Sequence, residues 1–131
     1  MSKRTVNQIL GEAKTIAVVG LSSDPEKPSH GIAKALKSRG YRIIPVNPRE
    51  TEVLSEKAYA TLAQIPIFVD IVNVFRRADQ TPAIAQEAVA ISAKCLWLQT
   101  GIVNEEAAQI AEIDGLDAIM DRCIMVELSK L

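Results

Sequence analysis

Five short apolar runs, each separated from the next by a helical stretch, set the tightest limit on what this chain can fold into. Residues 15–20 read TIAVVG, 41–46 YRIIPV, 68–75 FVDIVNVF and 95–99 CLWLQ, and 118–120 form a short fifth run. The first run is short, rich in β-branched residues and free of charge, which suits a central parallel strand buried on both faces. Between the runs the period changes to that of a helix. Val6, Ile9, Leu10 and Ala13 share one face. In 31–39, Ile32, Ala35 and Leu36 lie opposite Lys34, Lys37 and Arg39. Residues 78–93 predict a long alanine-rich helix, with Pro82 near its first turn where proline is tolerated. Residues 104–113 predict another, with Asn104 as N-cap and Glu105 and Glu106 in its first turn. A last helix is expected over 124–131. Only 49–66 are irregular, with a brief extension at 52–54 and one helical turn at 61–64. Strands alternating with helices imply βαβ units with right-handed crossovers. The expected fold is α/β, a three-layer sandwich around a five-stranded parallel sheet, with residues 1–131 as a single domain.

Composition narrows the function classes. The 131 residues carry 15 Lys and Arg against 16 Asp and Glu, a formal net charge of -1. That balance removes the electrostatic reason to expect nucleic acid, and 4% aromatic residues argue against stacking platforms for single strands. Cys95 and Cys123 make neither a disulfide framework nor a zinc ribbon. With His30 as the one histidine, no multi-histidine metal site can be built. Residues 1–7 are polar, no apolar run of signal-peptide length follows, and none approaches the ~20 residues of a membrane helix. The expectation is a soluble cytoplasmic protein of a reducing compartment.

In open parallel sheets, ligands bind beyond the carboxyl ends of the strands. The residues that follow the five runs are Gly20, Leu21, Ser22 and Ser23; Asn47, Pro48 and Arg49; Phe75, Arg76 and Arg77; Gln99, Thr100, Gly101 and Ile102; and Asp121, Arg122 and Cys123. Glycine, hydroxyls, amides and arginines collect at this edge, whereas the runs themselves are nearly all apolar. The first loop is longer and richer in proline than a Gly-x-Gly-x-x-Gly turn. It still delivers a helix start near Ser29, His30 and Gly31, whose backbone N–H groups favour an anion, and Ser22 and Ser23 add hydroxyls. The plainer reading is an ordinary loop with Ser29 as N-cap. Arg49, Arg76 and Arg77 suit bidentate phosphate contacts or are solvated surface charge. His30 touches a phosphate or lies on a surface loop. Trp97 and Cys95 read as core. Cys123 stands near a helix start, a place that can activate a thiol, or is structural. No Gly-x-Ser-x-Gly elbow and no Gly-x-x-x-x-Gly-Lys-Ser/Thr loop is present, and nothing pairs Asp70 or Asp121 as acid and base.

The segments AVVGLSSDPEKPSHGIAKAL, GYRIIPVNP, DIVNVFRR, WLQTGI followed by NEEAA, and DRCIMVE run from 17 to 127. In this order and spacing the chain resembles the small stand-alone CoA-binding proteins. Their single Rossmann-like domain is similar to the CoA-binding domain of the succinyl-CoA synthetase alpha chain. The resemblance implies CoA or acyl-CoA bound across the strand ends. Gly20, Leu21, Ser22 and Ser23, with the helix start at Lys27, Pro28, Ser29 and His30, then hold the pyrophosphate. Asn47, Pro48 and Arg49 lie beside the adenosine and its ribose phosphate. Val74, Phe75, Arg76 and Arg77 line the pantetheine path, Gln99, Gly101 and Ile102 flank it, and Cys123 faces the CoA thiol. Two positions depart from the pattern: His30 stands where a Tyr is expected, and Leu128 where a His is common. The implied role is CoA binding without catalysis, as a carrier, a sensor or a subunit of an acyl-CoA enzyme, with self-association left open. An NAD(P)-binding oxidoreductase-like domain is the alternative. It calls for a short glycine-rich loop and an acidic residue ending the second strand, where Asn47-Pro48-Arg49 stands instead. A third class is an interaction module that has lost its ligand.

Overall fold

The computed structural model describes residues 4–131; residues 1–3 of the polar start lie outside the described residues. Five parallel strands form the main sheet: β1 (Thr15–Val19), β2 (Arg42–Val46), β5 (Ile71–Val74), β6 (Cys95–Leu98) and β7 (Asp117–Ile119). Their order is β2-β1-β5-β6-β7. A two-stranded antiparallel hairpin, β3 (Glu52–Val53) and β4 (Glu56–Lys57), lies between β2 and β5 in the chain. The helices are α1 (Val6–Glu12), α2 (Pro28–Ser38), α3 (Thr81–Ala90), α4 (Glu105–Ile113) and α5 (Ile124–Ser129).

Successive strand side chains point to opposite faces, and each face buries its own helices. Ala17, Val19, Val72, Val74, Leu96 and Leu98 pack under Ile84, Ala85 and Ala88 of α3 and Ala107 and Ala111 of α4. Ile16, Val18, Ile43, Ile71, Cys95 and Trp97 pack under Ile9 and Leu10 of α1, Ala33 and Leu36 of α2, and Ile124 and Leu128 of α5. The three-layer α/β sandwich with its five-stranded parallel sheet is therefore the observed architecture. Trp97 is wholly buried, and its indole N–H donates to the Arg122 carbonyl at 2.8 Å. A buried indole needs that partner. Pro45 sits in β2, where the missing N–H is tolerated because β2 is an edge strand.

Several boundaries differ from the sequence-based expectation. Helix α2 begins at Pro28 rather than Gly31, with Lys27 as N-cap. Proline at the first helical position loses no hydrogen bond and arrives with a helical φ. Ser29 is thus inside the helix and not its cap. The third strand begins at Ile71 rather than Phe68. Asp70 ends the approach to it, its Oδ2 accepting from the N–H groups of Lys14 at 2.9 Å and Thr15 at 3.0 Å. Phe68 is left exposed, with the Lys94 ammonium over its ring. The helix expected over 78–93 splits into a 3-10 turn (Ala78–Gln80) and α3, which ends before the left-handed Ser92. Asn104 is the N-cap of α4 as expected, its side chain accepting from the Ala107 N–H. Helix α5 stops at Ser129.

Candidate functional site

Strand β1 is followed in the chain by β2 on one side and, after the hairpin, by β5 on the other. The order of strands reverses there, and this is where open α/β sheets take their ligands. A cleft of about 970 Å³ opens at that point, near the upper end of small-molecule sites. Its walls come from the ends of β1, β2 and β5, the start of α2, one side of α3 and the segment around Leu62.

Three loops are tied together at the cleft. Gly20 leaves β1 with φ +89° and donates to the Val46 carbonyl at 2.8 Å, while Phe75 N–H donates to Val19 at 2.8 Å. Asn47 is buried and bonded on both ends of its amide. Its Nδ2 donates to the Leu21 carbonyl at 3.1 Å, and its Oδ1 accepts from the Arg49 N–H at 3.0 Å. Asn47 is therefore a clamp between the loops after β1 and β2. Inside the first loop, Ser22 N–H donates to Ser29 Oγ and Asp24 N–H to Ser22 Oγ. His30 Nδ1 lies 2.9 Å from the Ser22 carbonyl. These hydroxyls and the imidazole hold the loop's own backbone. The Ser23 N–H donates across the gap to Glu50 at 2.8 Å.

The polar and charged lining is cationic in sum. Lys27, Arg49 and Arg76 line the cleft, against Glu50 and Glu87. Among the described residues none of the three cations makes an ion pair. The first turn of α2 carries no acidic residue, so no side chain of that turn offsets the positive end of its dipole. Val19, Val46, Leu62 and Ile84 supply an apolar floor. Basic side chains beside an apolar floor match a ligand that is phosphorylated at one end and carries a ring or an aliphatic arm.

Of the residues singled out from sequence, Gly20, Ser22, Lys27, Pro28, Ser29, Asn47, Pro48, Arg49, Phe75 and Arg76 line this cleft. Leu21 and Val74 are fully buried and point into the core. Arg77 is exposed and pairs with Asp79 at 3.5 Å. Ser23 stands on the same loop as Ser22 and His30 in the first turn of α2, both outside the lining. Gln99, Gly101, Ile102 and Cys123 lie further along the same edge, after β6 and β7. Gln99 is buried, donating to Asn73 Oδ1 at 2.6 Å and accepting from the Ile124 N–H. Gly101 N–H donates to Asp121 at 2.7 Å. Glu50, Leu62, Ile84 and Glu87 were not singled out. Glu50 and Leu62 come from the irregular segment, and Ile84 and Glu87 from the alanine-rich helix, in which no site residue was expected.

The two thiols are not equivalent. Cys95 is buried in β6, and burial pushes its thiol well above the usual range, with the nearby Asp117 carboxylate adding to the shift. Cys123 is half-buried at the N-cap of α5. Iodoacetamide is expected to label Cys123 in the native protein and to reach Cys95 only after denaturation, since the thiolate is the nucleophile. Mass mapping of native adducts on Cys95 would contradict this placement.

Residues 14–129 match the family model described as CoA binding domain. Over 125 residues the chain is 48% identical to the uncharacterized protein YneT of Bacillus subtilis, covering 95% of this chain and 93% of that one. It is 46% identical over 57 residues to the alpha subunit of the ADP-forming acetate–CoA ligase II of Pyrococcus furiosus. That match takes in 43% of this chain and 12% of the subunit. The match is thus to a small part of that subunit and not to its whole length. A solved structure of a hypothetical protein from Pyrococcus horikoshii superposes with a TM-score of 0.93 at 32% identity, covering 100% of this chain and 99% of that one. No helix among the described residues is long and apolar enough to cross a membrane.

Proposed function

The chain belongs to the CoA-binding domain family, and from that premise we propose that it binds CoA or acyl-CoA in the cleft between the ends of β1, β2 and β5. The observation that carries the reading is the set of three cations, Lys27, Arg49 and Arg76, unpaired among the described residues, around a helix start with no acidic residue in its first turn, beside an apolar floor. CoA presents a diphosphate, a ribose phosphate, an adenine and a long thin arm, and the residues present suit each part. The diphosphate belongs at the Gly20–Ser23 loop and the start of α2. Asn47 holds the loop that puts Pro48 and Arg49 beside the adenosine and its ribose phosphate. Phe75 and Arg76 start the path of the arm, which continues past Gln99, Gly101 and Ile102 toward Cys123.

The module supplies binding and no reaction. The cleft's two carboxylates are engaged with backbone N–H groups, Glu50 with Ser23 and Glu87 with Leu62. No group of three or more His, Cys, Asp and Glu side chains is placed to hold a metal among the described residues. The relation to acetate–CoA ligases supports a carrier, a sensor or a subunit that works with an acyl-CoA enzyme. Two free thiols fit the reducing cytoplasm. The likeness to the succinyl-CoA synthetase alpha chain is part of the same proposal.

A calorimetry and thermal-shift panel of CoA, acetyl-CoA, NAD, NADP and ATP tests the reading. CoA and acetyl-CoA are expected to raise Tm by several degrees at a hundredfold excess over Kd, because a ligand there stabilises by about 2.7 kcal/mol. A clear NAD effect without a CoA effect would transfer the chain to the nucleotide-dependent oxidoreductases.

A further inference from the structure

We propose that Glu50 tunes anion affinity as an intramolecular stand-in for ligand phosphate: its carboxylate holds the Ser23 N–H until a phosphate oxygen replaces it. The proposal rests on reading this cleft as the CoA diphosphate site. Its starting observation is the 2.8 Å hydrogen bond from Ser23 N–H to Glu50 Oε2. Glu50 lines the cleft together with Lys27, Arg49 and Arg76, yet it pairs with none of them. Its carboxylate reaches instead to a loop N–H that neither Ser22 nor Ser29 serves. Ser29 Oγ takes the N–H of Ser22, and Ser22 Oγ takes that of Asp24.

The backbone around Glu50 is fixed. Glu50 N–H donates to the Asn47 carbonyl at 3.2 Å, Arg49 N–H donates to the Asn47 side chain, and that side chain is bonded to Leu21. The carboxylate is therefore delivered to Ser23 from a tethered position. Tethering gives it a high effective concentration, on the order of millimolar or more. An incoming ligand must compete with it. An ionised acceptor bonds an N–H about twice as strongly as a neutral one, so a hydroxyl or amide of a ligand does not displace Glu50. A phosphate oxygen does. The two anions do not share the site, because like charges about 4 Å apart repel. The exchange turns Glu50 out to solvent and leaves the ligand with the Ser23 N–H. Glu50 thus weakens anion binding at this loop without preventing it.

Calorimetry on the wild type, Glu50→Gln and Glu50→Ala with CoA, inorganic pyrophosphate and adenosine tests this, with thermal melts showing that both variants are folded. Both variants are expected to bind CoA and pyrophosphate about threefold tighter or more, since a charged competitor has been removed, while adenosine is unchanged. In the wild type, the Ser23 amide resonance should move when pyrophosphate is added. Equal or weaker pyrophosphate binding in both variants overturns the proposal and makes Glu50 an ordinary loop contact or a ligand acceptor. If CoA fails to bind all three proteins, the CoA reading falls on its own, and the pyrophosphate comparison still decides the role of Glu50.

Discussion

Gly20→Ala is expected to cost about 2–4 kcal/mol of stability and to lower Tm by roughly 8–15 °C. Two effects act at this one position. The backbone is left-handed there, at φ +89°, where an L side chain is strained. A methyl group would also collide with the Phe75 carbonyl oxygen. That oxygen belongs to backbone and cannot swing aside, because Phe75 is held to β1 through its N–H on Val19. Relief must come from moving the first loop, which breaks the Gly20–Val46 bond and shifts the Ser22–Ser23 segment. CoA affinity should fall with it, by about tenfold or more, since small misplacements of positioning groups have large effects. Gly40→Ala is the control. Gly40 has φ +96° but no atom near its would-be methyl, so its cost is the conformational part alone, about 1 kcal/mol. Chemical denaturation of the two variants measures the difference. Equal losses would show that the close approach at Gly20 carries no energy of its own.

The contrast between these glycines also shows what sequence can and cannot reveal. Gly20 was legible as a strand-ending glycine, because the run before it is apolar and short. Its close approach to Phe75 was not, since that contact joins positions far apart in the chain. The same division runs through the fold. Strands β1, β2 and β6 announce themselves by local composition. The start of the third strand does not, because Asp70 spends its carboxylate on the N–H groups of Lys14 and Thr15, which are remote in sequence. The start of α2 was legible in principle: Pro28 is a first-turn residue, and the serine after it drew the cap assignment instead.

At the cleft, Gly20, Ser22, Asn47, Arg49 and Arg76 could be picked out by the rule that strand ends hold ligands. Glu50, Leu62 and Glu87 could not. The hairpin of β3 and β4 folds the irregular segment back on the edge strand, with Tyr59 N–H on Pro45 and Asn47 N–H on Tyr59. No periodicity in 49–66 encodes that return. It is a tertiary feature, made by pairing to β2. The roles of Ser22 and Ser29 were obscured for a related reason. A serine in a phosphate loop and a serine bonding its own loop look alike until the donors are traced.

The pair Arg49→Ala and Arg76→Ala is expected to weaken CoA binding by about a hundredfold when combined, roughly tenfold for each, as charge-assisted contacts to separate phosphates are lost. Neither arginine has an ion-pair partner among the described residues, so neither has an internal task to explain its place. Stability should change by less than about 0.5 kcal/mol, as for surface substitutions that remove no partner. The salt dependence of CoA binding should flatten in the double variant, because screening acts on the contacts that were removed. The two single variants separate the phosphates. Arg49 follows β2, on the side proposed for the ribose phosphate, so Arg49→Ala should narrow the preference for CoA over dephospho-CoA. Arg76 stands at the end of β5, by the arm and the diphosphate, so Arg76→Ala should weaken both ligands alike. If dephospho-CoA and CoA lose equally in Arg49→Ala, the adenosine end lies elsewhere in the cleft. If neither variant changes affinity, both arginines belong to solvent, and the helix start with Lys27 must carry the charge of the ligand alone.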